Sequence, residues 1–275
     1  MDSFVIKKVL NNNVVIAEKN MEQFVLVGKG LGFDSNKGTK INLSRIESIF
    51  VKKASNLNKN FEEILKNINN EIVGISEEII SLCEKELGVK LSEGIHVSLP
   101  DHINFAMVRI ERGVKIENPF LYELVALYPK EYRLAEKALD MINNNLSIEL
   151  PKDEIGFICM HIKAAIKQEK VGTALAYTKK IREIMELIAK LLKREFDKNS
   201  LEYMRTITHL NFMMERISNN KTAKNSLLDS IKKDLYNQYD IAIKVAMKIE
   251  NLFSVKVSED EIGYIALHIS RLTES

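Results

Sequence analysis

Residues 153–162 read DEIGFICMHI, and residues 260–269 read DEIGYIALHI. A second matching pair lies upstream, with HINFAMVRI starting at His102 and HLNFMMERI starting at His209. The two members of each pair are 107 positions apart, and Tyr, Ala and Lys residues between the segments keep the same offset without a gap. An uninterrupted repeat of this length indicates two copies of one domain.

The repeated region has the periodicity of helices. From Phe61 onward, apolar residues recur three or four positions apart, as in an amphipathic helix, and few Gly or Pro residues interrupt the pattern. The polar segment KQEKVG at 167–172 separates the copies. We therefore expect two homologous all-α helical-bundle domains, at residues 57–171 and 172–275.

The residues before the repeat have the pattern of a small all-β domain. The segments FVIKKV, NVVIAE, QFVLVG and IESIFVK are short, rich in Val, Ile and Phe, and bounded by Asn or Gly clusters. They predict a four-stranded antiparallel sheet within residues 1–56, and the polar segment at 52–60 is predicted to be a linker. A module this small buries little apolar surface alone, so we expect a homodimer in which it stacks on a copy of itself.

The charge is distributed unevenly along the chain. Residues 1–55 contain nine Lys or Arg and five Asp or Glu, a net charge of +4. The whole chain carries +2, so the remaining 220 residues carry −2. A basic module in front of a slightly acidic body favours an anionic partner for the N-terminal domain.

Hydropathy and cysteine content indicate a cytoplasmic protein without membrane insertion. No apolar run approaches the ~18 residues that a spanning helix needs, and the N-terminus has no basic segment followed by an apolar one. Cys83 and Cys159 lie inside apolar helical patterns. Two cysteines without an export signal are predicted to be buried free thiols.

Histidine positions suggest a chemical role for the repeat. Four of the five histidines occupy matching positions, with 59 positions between the two in each copy, whereas His96 has no counterpart. The four are His102, His161, His209 and His268. Arg109 and Arg216 follow the first histidine of each copy by seven positions, which places them on the same helix face.

A carboxylate completes the pattern, because Glu154 and Glu261 precede the second histidine of each copy by seven positions. A neutral imidazole oriented by a carboxylate, near a guanidinium that can fork onto an oxyanion, could accept and hold a phosphoryl group. The alternative is that duplicated domains simply retain hydrogen-bonded core histidines. From the residues alone, both interpretations stay open.

Metal binding and enzymatic catalysis are less well supported. The histidines lack the close spacing of zinc ligands, and neither cysteine recurs in the other copy. The sequence has no GxSxG, Walker or dinucleotide motif, and GKGLGF lacks the strand–loop–helix setting that such motifs require. We therefore predict no metal, no cofactor and no enzymatic activity.

The motifs resemble a known family, the BglG/SacY transcriptional antiterminators, over essentially the whole chain. KKVLNNNVVIA, VGKGLGF and IESIF resemble its N-terminal co-antiterminator RNA-binding domain. LPDHINFAMVR and DEIGFICMHI, repeated as ITHLNFMMERI and DEIGYIALHI, resemble its two regulation domains, which the sugar phosphotransferase system (PTS) phosphorylates. The segment NPFLYELVALYPKEY is similar to the glucose-operon branch.

This resemblance implies a function and partners. The N-terminal domain would dimerise on a hairpin in the leader mRNA of a sugar-utilisation operon, and so prevent an overlapping terminator from forming. The histidine phosphocarrier HPr and a sugar-specific PTS permease component would phosphorylate His102, His161, His209 and His268. Asp101 precedes the first histidine of one copy and Thr208 that of the other, so His102 and His209 could differ as phosphoacceptors.

The resemblance also places the RNA contacts. They are Lys8, Asn11, Asn13, Gly28, Lys29, Gly30 and Phe33. Asn amides can pair with base edges, Gly lets the backbone approach the sugar–phosphate chain, and a Phe ring can stack on an unpaired base. The alternatives are turn geometry for the glycines and core packing for Phe33.

Two other classes of function remain possible from the sequence. One is a helical scaffold whose basic N-terminal module binds a protein and whose histidines only pack. The other is a DNA-binding regulator, although no helix-turn-helix pattern precedes the repeat.

Overall fold

The computed structural model describes residues 3–51, 56–221 and 223–274. Its contacts divide the chain into two compact units. The first comprises residues 1–118 and 130–171, and the second comprises residues 119–129 and 172–275.

The N-terminal domain is an antiparallel sheet with strand order β4-β1-β2-β3-β5. Its strands are β1 Phe4–Val9, β2 Val14–Lys19, β3 Glu22–Val27, β4 Lys40–Ile41 and β5 Ser48–Val51. The predicted antiparallel sheet is confirmed, but it has five strands instead of four. The additional strand, β4, has only two residues, too few for a recognisable alternating pattern, and it pairs with the start of β1.

Apolar residues cover both faces of the central strand, since Val14, Val15, Ile16 and Ala17 are all buried. Their alternation directs Val15 and Ala17 to one face and Val14 and Ile16 to the other. The first face has a cluster formed by Phe4, Ile6, Val15, Ala17, Leu26, Leu31 and Ile41. Helix α2, Asn70–Leu87, contacts β2 and β3. The sheet therefore packs directly on the first helical domain.

The first unit contains five of the described helices. They are α1 Asn56–Asn67, α2, α3 Ile95–Glu111, α5 Pro129–Asn145 and α6 Glu154–Lys167. The Asn69 side chain accepts a hydrogen bond from the Glu71 amide at the start of α2. Gly88, with a φ of 67°, ends that helix. Residues 56–60 of the predicted linker belong to α1, a helix that contacts α3. Residues 52–55 lie outside the described residues.

The second unit repeats this arrangement. Its helices are α4 Leu121–Leu127, α7 Val171–Leu192, α8 Leu201–Ser218, α9 Leu228–Asp234, α10 Tyr236–Phe253 and α11 Glu259–Glu274. Helices α8 to α11 occupy the positions of α3 to α6 in the repeat. Helix α4 precedes α5 in the chain but packs on α8, so it belongs to the second unit.

The two cysteines are buried free thiols, as predicted. Burial raises the pKa of Cys83 to about 12, which keeps this thiol protonated. Among the described residues, no helix is both long and apolar enough to cross a lipid bilayer.

Candidate functional sites

The side chains of Asn11 and Asn13 form hydrogen bonds both within the N-terminal domain and to helix α2. The Asn11 Oδ1 accepts hydrogen bonds from the backbone amides of Asn13 (2.9 Å) and Val14 (2.8 Å), and so forms the turn between β1 and β2. The Asn13 Oδ1 accepts from the Gly30 amide at 2.9 Å. The two Nδ2 groups donate to the carboxylate of Glu78, at 2.7 and 3.0 Å. The asparagine oxygens are therefore structural, and the amide NH₂ groups contact helix α2.

A further predicted RNA-binding residue, Lys8, also contacts a helix of the first helical domain. The Lys8 ammonium donates to the carbonyl of Leu65 in α1 at 3.3 Å. Gly74 of α2 faces the Asn11 side chain so closely that a Cβ there would lie 2.6 Å from the Asn11 Nδ2. A cavity of about 210 Å³ opens beside this contact, lined by Leu10, Asn11, Asn12, Asn13, Glu71, Ile75, Glu78, Asn145 and Leu146.

The segment 28–33 presents an exposed cation and an exposed ring. Lys29 is exposed, and Phe33 is 62% exposed, so Phe33 is not a core residue. The backbone at Gly28 and Gly30 favours glycine at both positions. A Cβ at Gly28 would lie 2.0 Å from the Arg45 carbonyl oxygen, and Gly30 has a φ of +66°. Backbone geometry thus gives both glycines a structural role, and Lys29 and Phe33 are directed to solvent.

The first helical domain brings its two histidines together. His102 in α3 and His161 in α6 have ring centroids 4.9 Å apart. His102 donates from Nε2 to the Glu154 carboxylate at 2.7 Å, and the Glu154 side chain is only 1% exposed. The Ser98 hydroxyl lies 3.3 Å from the Nδ1 of His161. The carboxylate therefore orients the histidine of the opposite helix, not the one that follows it in sequence.

The second helical domain pairs the equivalent residues differently. His209 in α8 and His268 in α11 have ring centroids 4.2 Å apart. Here Glu261, the counterpart of Glu154, accepts two hydrogen bonds from Arg216, from Nε and Nη2, both at 2.8 Å. The buried Nε2 of His209 has no hydrogen-bond partner among the described residues.

The two arginines that the sequence equates thus behave differently. Arg216 is held in a bidentate ion pair with Glu261, whose side chain is 3% exposed. Arg109 instead donates to the backbone carbonyl of Lys115 at 3.3 Å and lies over the Phe105 ring. The structure therefore places one guanidinium on the buried carboxylate of its domain and leaves the other at the surface.

Three of the four histidines are held neutral. Burial, followed by the proximity of His102, lowers the pKa of His161 to about 3. Burial and the Arg216 guanidinium lower the pKa of His209 to about 4. The pKa of His268 is lowered to about 4, first by burial and then by the nearby His209, Arg271 and Arg205. These imidazoles therefore carry an available lone pair at neutral pH.

His96, which has no counterpart in the repeat, has a different environment. Its Nδ1 donates to the buried carboxylate of Glu77 at 2.8 Å, and its ring lies 4.8 Å from the ring of Phe50 in β5. Burial opposes the charged form, but the Glu77 carboxylate outweighs it and raises the pKa of His96. This histidine stabilises the contact between the sheet and the first helical domain.

Sequence reasoning missed several residues of these sites. Glu78 contacts the asparagines, Ser98 contacts His161, and Arg205 and Arg271 influence His268. A search for identical residues in the two copies could not find them, because their counterparts differ. Among the described residues, no group of three or more His, Cys, Asp or Glu side chains is arranged to hold a metal ion.

Comparisons with protein families cover most of the chain. The CAT RNA binding domain family matches residues 4–59. The PRD domain family matches twice, at residues 77–165 and 182–272. The two PRD matches coincide with the repeat and confirm it as a duplicated domain.

Curated relatives match along nearly their entire length. The transcription antiterminator LicT of Bacillus subtilis is 36% identical over 98% of this chain and 99% of its own. A beta-glucoside operon antiterminator of Dickeya chrysanthemi is 33% identical over 97% and 96% of the two chains. Protein GlcT of Staphylococcus saprophyticus is 31% identical over 100% and 99%.

A solved structure, the crystal structure of GlcT CAT-PRDI, is 40% identical and covers 59% of this chain and 98% of its own, with a TM-score of 0.49. The sequence matches extend across the sheet and both histidine pairs. This chain belongs to the BglG/SacY family of transcription antiterminators, with an N-terminal CAT RNA-binding domain and two PRD domains.

Proposed function

We propose that this chain binds a hairpin in the leader mRNA of a sugar-utilisation operon, prevents the overlapping terminator from forming, and is controlled by PTS-dependent phosphorylation of its histidines. The observation that carries the proposal is the pairing of histidines within each PRD domain, behind an RNA-binding domain. Two imidazoles 59 positions apart in sequence lie with ring centroids 4.9 Å apart in one domain and 4.2 Å apart in the other.

The RNA would be bound by the sheet domain in the cytoplasm, as a homodimer on one hairpin. Lys29 and Phe33 support this, because a solvent-exposed cation can contact phosphate and a solvent-exposed ring can stack on an unpaired base. Lys8, Asn11, Asn13, Gly28 and Gly30 would complete the contact surface.

RNA binding would compete with the first PRD domain. The NH₂ groups of Asn11 and Asn13 each donate one hydrogen to Glu78, and RNA acceptors that take the same hydrogens would replace this carboxylate. The negative Glu78 carboxylate would separate from the asparagines when the anionic RNA binds. Other charges in the same domain can shift the equilibrium between these two states.

Phosphorylation would supply such a charge. HPr or the permease component would transfer its phosphoryl group to an imidazole nitrogen, so that the bond between phosphorus and the donor side chain breaks, an N–P bond forms on the acceptor, and the proton on the other ring nitrogen can leave to solvent. A neutral histidine is required, because the attacking nitrogen uses its lone pair; the lowered pKa values of His161, His209 and His268 meet this condition. The added group carries roughly −1.5 to −2 charges at pH 7.

The test uses the full-length protein with a leader transcript that contains an imperfect hairpin overlapping a terminator. We expect gel-shift binding that weakens as salt rises, and increased read-through in transcription assays. Incubation with phosphorylated HPr should produce acid-labile modification at the four histidines. The regulatory mechanism is excluded if His→Ala and His→Asp variants at all four positions leave RNA binding and dimerisation unaltered.

A further inference from the structure

The two histidine sites differ in the positive charge around them. Arg205 lies four positions before His209 in α8, and Arg271 lies three positions after His268 in α11. At the same repeat positions the first PRD domain has Ser98 and Ala164. Spacings of three and four place residues on the same face of a helix, so both arginines lie on the histidine-bearing faces.

The positive charges of Arg205 and Arg271 lower the pKa of His268 in this histidine pair. After burial and His209, Arg271 and Arg205 are the groups that depress the pKa of His268. For His161, the equivalent residue, the corresponding shift arises from burial and His102. Two cations thus contribute to the lowered pKa of His268, whereas none is among the causes of the lowered pKa of His161.

The second site also has a cavity in which an anion could be bound. It measures about 410 Å³ and is lined by His209, Arg216, Ala223, Tyr264, Leu267, His268 and Arg271. The cavity beside His161 measures about 330 Å³, and its charged lining residues are Glu169 and Lys170. A cavity lined by two imidazoles and the Arg271 guanidinium, which has no carboxylate partner among the described residues, is suited to an oxyanion, whereas one lined by a carboxylate and an ammonium is less so.

The charge of Arg205 and Arg271 is not compensated locally. Both side chains are exposed, and neither forms an ion pair with a carboxylate in the described parts of the chain. Arg216 differs, because Glu261 already neutralises it. The two unpaired guanidiniums are therefore the groups available to a new anion.

We propose that the second PRD domain contains an oxyanion site, in which Arg271 binds phosphate oxygens beside His268 and His209 while Arg205, on the histidine-bearing face of α8, adds positive charge, and that the first PRD domain lacks one. The same site binds free inorganic phosphate in the unmodified protein and the phosphoryl group after transfer. The positive charge of Arg271 and Arg205 makes the second pair the better phosphoacceptor. This inference rests on the proposed function for its second half only.

The first experiment titrates inorganic phosphate into full-length protein and follows the ring signals of each histidine by NMR. We expect the signals of His209 and His268 to shift, and those of His102 and His161 to stay. Arg205→Ala with Arg271→Ala should weaken phosphate binding roughly ten-fold or more. Arg133→Ala, which removes an exposed charge of the first unit, is the matched control and should have no effect.

The second experiment supplies phosphorylated HPr and measures modification of each histidine by mass spectrometry under neutral conditions. The double alanine variant should slow phosphorylation at His209 and His268 roughly ten-fold, with no change at His102 and His161. Arg271→Lys should retain part of the phosphorylation rate, because Lys keeps the positive charge but cannot donate two parallel hydrogen bonds as a guanidinium can. Ser98→Arg should make the histidine signals of the first domain sensitive to phosphate.

The outcomes separate the two proposals. Equal effects of phosphate on both histidine pairs, or phosphorylation of the double variant at the wild-type rate, overturns the oxyanion site. A wild-type protein that binds phosphate at His268 but is never phosphorylated overturns the proposed function and leaves the site intact. If Arg271 only stabilises the end of α11, its loss lowers the unfolding midpoint and leaves phosphate affinity unchanged, which also overturns the site.

Discussion

The Asn11 side chain donates a 2.7 Å hydrogen bond to Glu78, which lies 67 positions further along the chain, and Asn13 donates to the other oxygen of the same carboxylate. One of the two hydrogens of each NH₂ group is therefore already donated to this carboxylate. Asn11 and Asn13 are proposed to contact RNA bases. The Glu78 carboxylate therefore occupies a position that a hydrogen-bond acceptor of the RNA would take.

Replacing Glu78 by Ala should therefore increase RNA affinity. The amides of Asn11 and Asn13 would be free before RNA arrives, and a gain of up to roughly ten-fold is expected for one charge-assisted contact removed from the competing state. Gel shifts at fixed salt would measure it. Glu71→Ala is the control, because Glu71 lines the same cavity and is exposed. Equal RNA affinity of the Glu78 variant and the control would contradict the prediction.

Phe33 should matter for RNA binding and not for stability. Because the ring is 62% exposed, Phe33→Ala removes little buried surface, so the free energy of unfolding should change by less than about 0.5 kcal/mol. The loss of a stacked base should weaken RNA binding by roughly 1–3 kcal/mol. Met21→Ala, at a residue 93% exposed, serves as the control and should affect neither quantity. An unfolded Phe33 variant would show instead that the ring is part of the core.

The equivalent arginines of the two PRD domains should differ in their contribution to stability. Arg216→Ala leaves the buried Glu261 carboxylate without its two donors, so we expect a loss of roughly 2–4 kcal/mol in urea unfolding. Arg109→Ala removes a bond to an exposed carbonyl and should cost less than about 1 kcal/mol. Equal losses for the two variants would show that the different pairing has no energetic consequence.

Stability should fall as the pH is lowered through the range in which unfolded histidine becomes protonated. His268 titrates near 6.5 when unfolded and at about 4 when folded. Below pH 6.5 the unfolded chain therefore binds protons that the folded chain excludes, and the free energy of unfolding falls until the pH reaches about 4. His268→Asn should remove roughly 1–3 kcal/mol of this dependence, measured by urea unfolding at pH 7.5 and pH 4.5.

The comparison with wild type isolates His268 from other titrating groups. His96 contributes in the opposite direction, because Glu77 raises its pKa; its stabilisation is present at low pH and is lost as the pH rises through the folded pKa. That contribution is common to both proteins and cancels in the difference. An unchanged pH dependence in the variant would mean that His268 is not buried as described.

Local patterns predicted most of the fold. Short segments rich in Val, Ile and Phe identified β1, β2, β3 and β5, and the offset of 107 positions identified the two helical domains. The strand β4 escaped detection because two residues carry no periodicity, and its position depends on pairing with Phe4 and Val5. Likewise, α1 begins in polar sequence and is stabilised by packing on α3.

The candidate sites were predictable as groups of residues and not as contacts. Equal spacing in the two copies identified the histidine pairs, the arginines and the glutamates. It could not distinguish Glu154, which accepts from His102, from Glu261, which accepts from Arg216. A choice between two donors depends on differences of a few ångströms in side-chain position, and identical residue spacing carries no information about them.

The sequence by itself determined the duplication, the order of sheet and helices, and which imidazoles belong together, because these follow from periodicity and from residue identity along the chain. Only the tertiary structure decided that Glu78 meets the asparagines, that α4 joins the second unit, and that Arg271 lines a cavity with one histidine pair. Hydrogen bonds and charge interactions act over a few ångströms. They are therefore set by how elements distant in sequence pack against one another.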